Sequence, residues 1–93
     1  MMKVRGEWKT RKIWISKEGE EYHELFHHKS QTIYNHSPDG FCWGYGGSGP
    51  SQLALALMLE VNDPDVAINY YQDFKWNVIA KLSQDDFEIE CFI

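Results

Sequence analysis

Residues 41–59 read Phe41-Cys42-Trp43-Gly44-Tyr45-Gly46-Gly47-Ser48-Gly49-Pro50-Ser51-Gln52-Leu53-Ala54-Leu55-Ala56-Leu57-Met58-Leu59, and the fold is decided here. Four of the seven glycines fall between Gly44 and Gly49, with Trp43 and Tyr45 threaded among them. Glycine admits positive φ and close backbone approach at an entropic cost, so such a cluster implies a specific backbone shape. Gly49-Pro50 then predicts a helix start, with Pro at the first helical position, where a missing N–H costs nothing. Gly49 or Ser48 is placed to cap, and Gln52 stands where a capping-box side chain reaches back. The run Leu53 to Leu59 has no polar face, so this helix is predicted to be the centre of the core and to end near Val61-Asn62.

Working forward, Asp63-Pro64 repeats the start signal, with Asp65 favourable to the helix dipole. A second helix is predicted from Pro64 to about Leu82. Ala67, Tyr71, Phe74, Val78 and Leu82 form its apolar stripe, and Asp73, Lys75 and Trp76 stand off it. Ser83 to Asp86 is a loop. Phe87, Ile89, Cys91 and Ile93 alternate with Glu88 and Glu90 as a half-buried strand.

Working backward, Asn35 to Gly40 is dense in turn formers and reads as loop. Glu21 to Ile33 fits either a helix, on the spacing of Tyr22, Leu25 and Phe26, or a third strand followed by loop. Lys17-Glu18-Gly19-Glu20 is a turn with Gly19 at a positive-φ position. Lys3–Trp8 and Arg11–Ser16 are short strands, the second alternating Ile13 and Ile15 with Trp14. Strands, two helices and a closing strand predict an α+β class: one domain, 1–93, with a small antiparallel sheet packed on two helices.

Composition narrows the function classes. The 43% hydrophobic and 15% aromatic content suits one globular core. The formal charge of −5 argues against general nucleic-acid binding, which needs clustered Lys and Arg. No apolar run is long enough to span a membrane. Charges at Lys3, Arg5 and Glu7 argue against a secretory leader, and Cys42 and Cys91 are too few for a disulfide scaffold, so a cytoplasmic location is expected.

Three constellations carry possible chemistry. The first is the glycine-rich loop. A glycine loop opening a helix can offer backbone N–H groups to an anion or partner, although the Walker and dinucleotide patterns are both unmet. The second is His23-Glu24-Leu25-Phe26-His27, which spells the zinc-peptidase signature. On a helix its two imidazoles would share a face, with Glu24 as base. The third is Tyr70 to Trp76, an aromatic helix segment with charges, of a kind enriched at interfaces. His36, Ser37 and Asp39 are too local to make a triad.

The blocks His36-Ser37-Pro38-Asp39-Gly40-Phe41, Trp43 to Pro50, Gln52 to Ala56 and Tyr71 to Trp76 resemble an uncharacterised family of small bacterial, plasmid and bacteriophage proteins. The resemblance covers the last two-thirds of the chain. It implies a setting on mobile elements and no assigned activity. The expected function is a non-catalytic binding module, one that inhibits a host factor such as a defence system. Its surface is expected to comprise Trp43, Gly44, Tyr45, Gly46, Gly47, Ser48, Gln52, Asp73, Lys75 and Trp76. Its partner is a host protein or small anionic ligand, and no cofactor is expected. A zinc hydrolase using His23, Glu24 and His27 is one alternative, and a purely structural accessory domain is another.

Overall fold

β1, Met2–Glu7, and β2, Lys12–Lys17, form an antiparallel pair with Val4 opposite Ile15 and Arg5 opposite Trp14. The computed structural model describes residues 1–91. β3, His23–Leu25, pairs antiparallel with β2, and β4, Phe87–Cys91, pairs antiparallel with the free edge of β1. The strand order is therefore β3-β2-β1-β4. The fold is α+β, as expected. The alternation of each strand decides which face is buried: Met2, Val4, Ile13, Ile15 and Cys91 go inward, whereas Lys3, Arg5, Glu88 and Glu90 stay exposed. The predicted last strand runs on to Ile93; the residues after Cys91 lie outside those described.

The segment 21–33 resolves into β3 and a single helical turn, α1, His28–Gln31. The turn before it has positive φ at both Glu18 (51°) and Gly19 (79°), where the sequence predicted it at Gly19 alone. That pattern matches the mirror-image turns that suit twisted hairpins.

α2, Ser48–Val61, is buried from Gly49 through Leu59. An all-round apolar helix has to be covered on every side, and the core joins it to the sheet, to Phe41 and Trp43, and to α3, Pro64–Asn77. The helix begins earlier than predicted. Gly47 is the cap residue, so Pro50 occupies the third helical position, which still lacks an intrahelical acceptor for an N–H. Gln52 does not reach back to a cap; it is fully buried and serves the loop described below.

α3 starts on Asp63 and Pro64 as predicted, without a side-chain capping bond, and ends at Asn77 rather than Leu82. Val78 leaves helical geometry (φ −126°, ψ −63°), and a 3-10 turn, Ile79–Lys81, follows. The Ile79 carbonyl there accepts from Gly44 N–H (3.0 Å), a tertiary bond that a continued α-helix would give to its own next turn. The inner face of α3 is Ala67, Tyr71, Phe74 and Lys75, with Val78 only half-buried.

Candidate functional site

Only Asn62 and Asp63 separate α2 from α3, so the two helices form a hairpin. The last turn of α3 consequently lies beside the first turn of α2, and the glycine-rich loop runs into that junction.

Gly44 fixes the loop's entry. Its φ is +82°, and a Cβ there would lie 2.8 Å from the Leu82 carbonyl oxygen. Gln84 Nε2 donates to its carbonyl (3.3 Å). The next glycines receive aromatic rings. A Cβ on Gly46 would meet the Trp76 ring at 2.2 Å, and one on Gly47 would meet the Tyr45 ring at 2.2 Å. Both rings remain open to solvent, Tyr45 at 44% and Trp76 at 55% exposure. Gly49 lies against the chain at Cys42, where a Cβ would stand 2.6 Å from the Cys42 Cβ. The loop is thus a shelf of backbone with two half-exposed rings seated on it. Partial burial, and secondarily Cys42, raise the Tyr45 phenol above the usual tyrosine range.

Trp43 does not belong to this surface. It is wholly buried, packed edge-on against Trp8 (5.4 Å) and Phe87 (4.9 Å), and its Nε1–H donates to the Asp85 carbonyl (2.9 Å). A buried indole needs such an acceptor, and the loop after α3 supplies it. The expectation that Trp43 contacts a partner is therefore corrected: it is a core residue holding the 83–86 loop in place.

Gln52 is likewise a structural residue. Its Oε1 accepts from His36 N–H (2.8 Å) and Ser37 N–H (3.0 Å), while its Nε2 donates to Ser30 Oγ (2.7 Å) and the Tyr34 carbonyl (3.0 Å). All four hydrogen-bonding directions of the amide are used. This one side chain ties α1 and the 34–37 loop to α2.

That loop brings a histidine to the junction. His36 Nε2 lies 2.7 Å from the Tyr71 hydroxyl, and its ring stacks on exposed Tyr34 (centroids 5.3 Å apart). Burial, then the positive charge of Lys75, holds the His36 imidazole below the usual histidine range. Lys75 is the second correction. Sequence spacing set it off the apolar stripe; it is 6% exposed, one helical turn beyond Tyr71 on the inner face. Its Nζ lies 4.0 Å from the Trp76 ring centroid. Burial covers its aliphatic stem, and among the described residues no buried side-chain nitrogen lacks a hydrogen-bond partner. Asp73 is exposed, and Ser48 is exposed at the start of α2.

The zinc reading loses its geometry. His23 and Glu24 lie on β3, where neighbouring side chains point to opposite faces, and His27 is the residue before α1. No helix places both imidazoles on one face. His27 instead packs edge-on against Phe41 (5.9 Å) and beside His28 (4.3 Å). Among the described residues no three His, Cys, Asp or Glu side chains gather as a metal set.

The structure thus brings together Tyr45, Gly46, Gly47, Ser48, Lys75 and Trp76, and adds His36, Tyr71 and Tyr34, which sequence reasoning missed. The spacing Tyr71 to Lys75 was the available signal for one of them. Nothing local announced His36, because Gln52 places it from another element.

The chain belongs to the DUF6166 family. This family of unknown function has a model that matches residues 5–91. The match begins within β1 and takes in β2, both of which lie ahead of the part that carries the resemblance. No curated protein and no solved structure matches the chain. Among the described residues no helix is long and apolar enough to cross a membrane.

Proposed function

We propose that this protein is a non-catalytic binding module whose contact surface is the shelf Tyr45-Gly46-Gly47-Ser48 together with Trp76. The observation that supports this reading most is the paired seating of two half-exposed rings on adjacent glycines. Tyr and Trp give large contact areas at small entropic cost and dominate binding hot spots. Glycine beneath each ring fixes its position from below, so little order has to be imposed on binding. The side chains facing outward are a phenol, an indole and a hydroxyl, which suit contact better than proton or group transfer.

The partner class proposed is a protein, and the mobile-element setting implied by the resemblance makes it a host factor, such as a component of a defence system. Affinity capture from bacterial lysate compares the wild type with Tyr45→Ala, Trp76→Ala and Arg5→Ala. Arg5 lies on the opposite, outer face of the sheet. A protein retained by wild type and Arg5→Ala but lost with Tyr45→Ala and Trp76→Ala supports the proposal. Equal retention by all four, with unchanged melting temperatures, removes it and leaves the accessory-domain reading.

A further inference from the structure

The two edges of the sheet are not alike. β3 is three residues long and gives way to α1 after two residues, so that edge offers little to pair with. β4 is five residues long, and its pairing with β1 is continuous from Phe87 to Cys91, without a bulge or a proline. Its other side is bare. Among the described residues no strand lies beyond it, and no main-chain group outside β1 bonds to it. Such a row of unpaired donors and acceptors is a template for one more strand.

The side chains of β4 say what kind of strand. Successive residues face opposite sides of the sheet. On the core side Phe87 and Ile89 are only half-buried, and Cys91 is buried. On the open side Glu88 and Glu90 are exposed. Arg5 holds Glu88 (2.8 Å). Lys3 stands opposite Glu90 in the register, yet among the described residues Glu90 forms no ion pair. The open side also has a cleft of about 360 Å³ beside the start of β4. Trp14 lines it with Glu7, Asp86 and Glu88, three carboxylates against one guanidinium, that of Arg5. Glu7 accepts from Thr10 Oγ1 (2.6 Å) and Asp86 from Trp8 N–H (2.8 Å), neutral donors that leave both charges uncompensated. An indole wall with excess carboxylate suits a basic side chain, through cation–π contact and charge.

We infer that the free edge of β4 takes up an extended segment of a partner protein in which basic and apolar residues alternate. Its main chain extends the sheet. Its apolar residues cover Phe87 and Ile89, and its Lys or Arg residues lie against Glu88 and Glu90, the one nearest the start of β4 reaching the cleft at Trp14. A second copy of this chain fits poorly. An antiparallel pairing of two β4 strands centred on Ile89 sets glutamate opposite glutamate, and like charges directly opposite destabilise a sheet. The inference does not depend on the shelf at Tyr45 and Trp76.

A capped peptide of alternating lysine and valine, as long as β4, is titrated into the ¹⁵N-labelled full chain. A glutamate–valine peptide of equal length is the comparison. Saturable shifts at the amides of Phe87 to Cys91 and at the Trp14 indole are expected, with slower hydrogen exchange at alternate β4 residues. The glutamate peptide should bind roughly tenfold more weakly or less. Glu88→Gln combined with Glu90→Gln should weaken the lysine peptide by a similar factor at an unchanged melting temperature. If loss of the Arg5 contact unfolds that variant, Glu90→Gln alone serves, with a smaller loss in the same direction. Shifts at β4 that depend on protein concentration before any peptide is added assign the edge to self-pairing and overturn the inference. Shifts confined to the shelf residues, equal affinity for the two peptides, or no saturable change overturn it as well.

Discussion

The outer edge of the Trp76 ring occupies the space that a side chain on Gly46 would fill. The two residues come from different elements, and their contact joins the glycine-rich loop to the end of α3. Gly46→Ala must push the ring away. Trp76 is more than half exposed and can swing, so a stability change within about 1 kcal/mol is expected. Partner capture should nevertheless fall. Gly44→Ala should behave oppositely. Its φ of +82° and the Leu82 carbonyl at 2.8 Å leave no room to yield, and the loss should be about 2–4 kcal/mol in urea denaturation. Similar midpoints for the two variants would contradict this account of the loop.

Trp43 is predicted to act on stability alone. Trp43→Phe removes the bond to the Asp85 carbonyl and part of the contact with Trp8 and Phe87. A cost of roughly 2–3 kcal/mol is expected from the unpaired carbonyl and the void together. Protein that remains folded should keep full binding capacity, as measured by the partner capture. A selective binding loss at unchanged stability would return Trp43 to the surface.

Gln52→Leu should be among the most damaging single changes. It strands the His36 and Ser37 amides, and the Tyr34 carbonyl loses its donor. Buried unsatisfied groups cost about 1–3 kcal/mol each, and these act on one loop, so a total of about 3–5 kcal/mol is expected. Hydrogen exchange should show the amides of His36 and Ser37 losing protection first. Unchanged protection there would mean that the 34–37 loop is held by something else.

Acid should destabilise the fold through two histidines. His36 is held below the usual range by burial and Lys75, and His27 by burial and His28. The unfolded chain therefore takes up protons at about pH 6.5, before the folded chain does. The stability these groups confer is complete above that value, declines as pH falls through it, and levels off below the folded-state pKa values. His36→Gln should flatten the decline in denaturant midpoint between about pH 7 and pH 5. His36 faces Tyr34, Tyr71 and Lys75, so a slope unchanged in the variant would place the titration elsewhere.

The fold was largely legible because its strongest signals are local. Asp63-Pro64 marks a start that needs no distant partner, and the apolar run Leu53 to Leu59 demands cover whatever surrounds it. The errors arise where a distant group decides. The end of α3 moved back to Asn77 alongside a tertiary bond from Gly44 to Ile79. Segment 21–33 divided into β3 and α1 because β2 offers an edge and Gln52 bonds Ser30. Within the site, Trp43 and Tyr45 are two residues apart in the same loop, and nothing local says which turns inward. Lys75 carries a charge, which favours exposure, yet its position four after Tyr71 places it on the inner face.

The placing of β4 against β1 also governs the order of assembly. More than eighty residues separate Arg5 from its partner Glu88, so one edge of the first strand stays bare while the chain between them is synthesised. Until β4 emerges, that edge is an open template for any extended segment nearby, including another copy of itself. Chains that still lack the final strand are thus the species most prone to self-association.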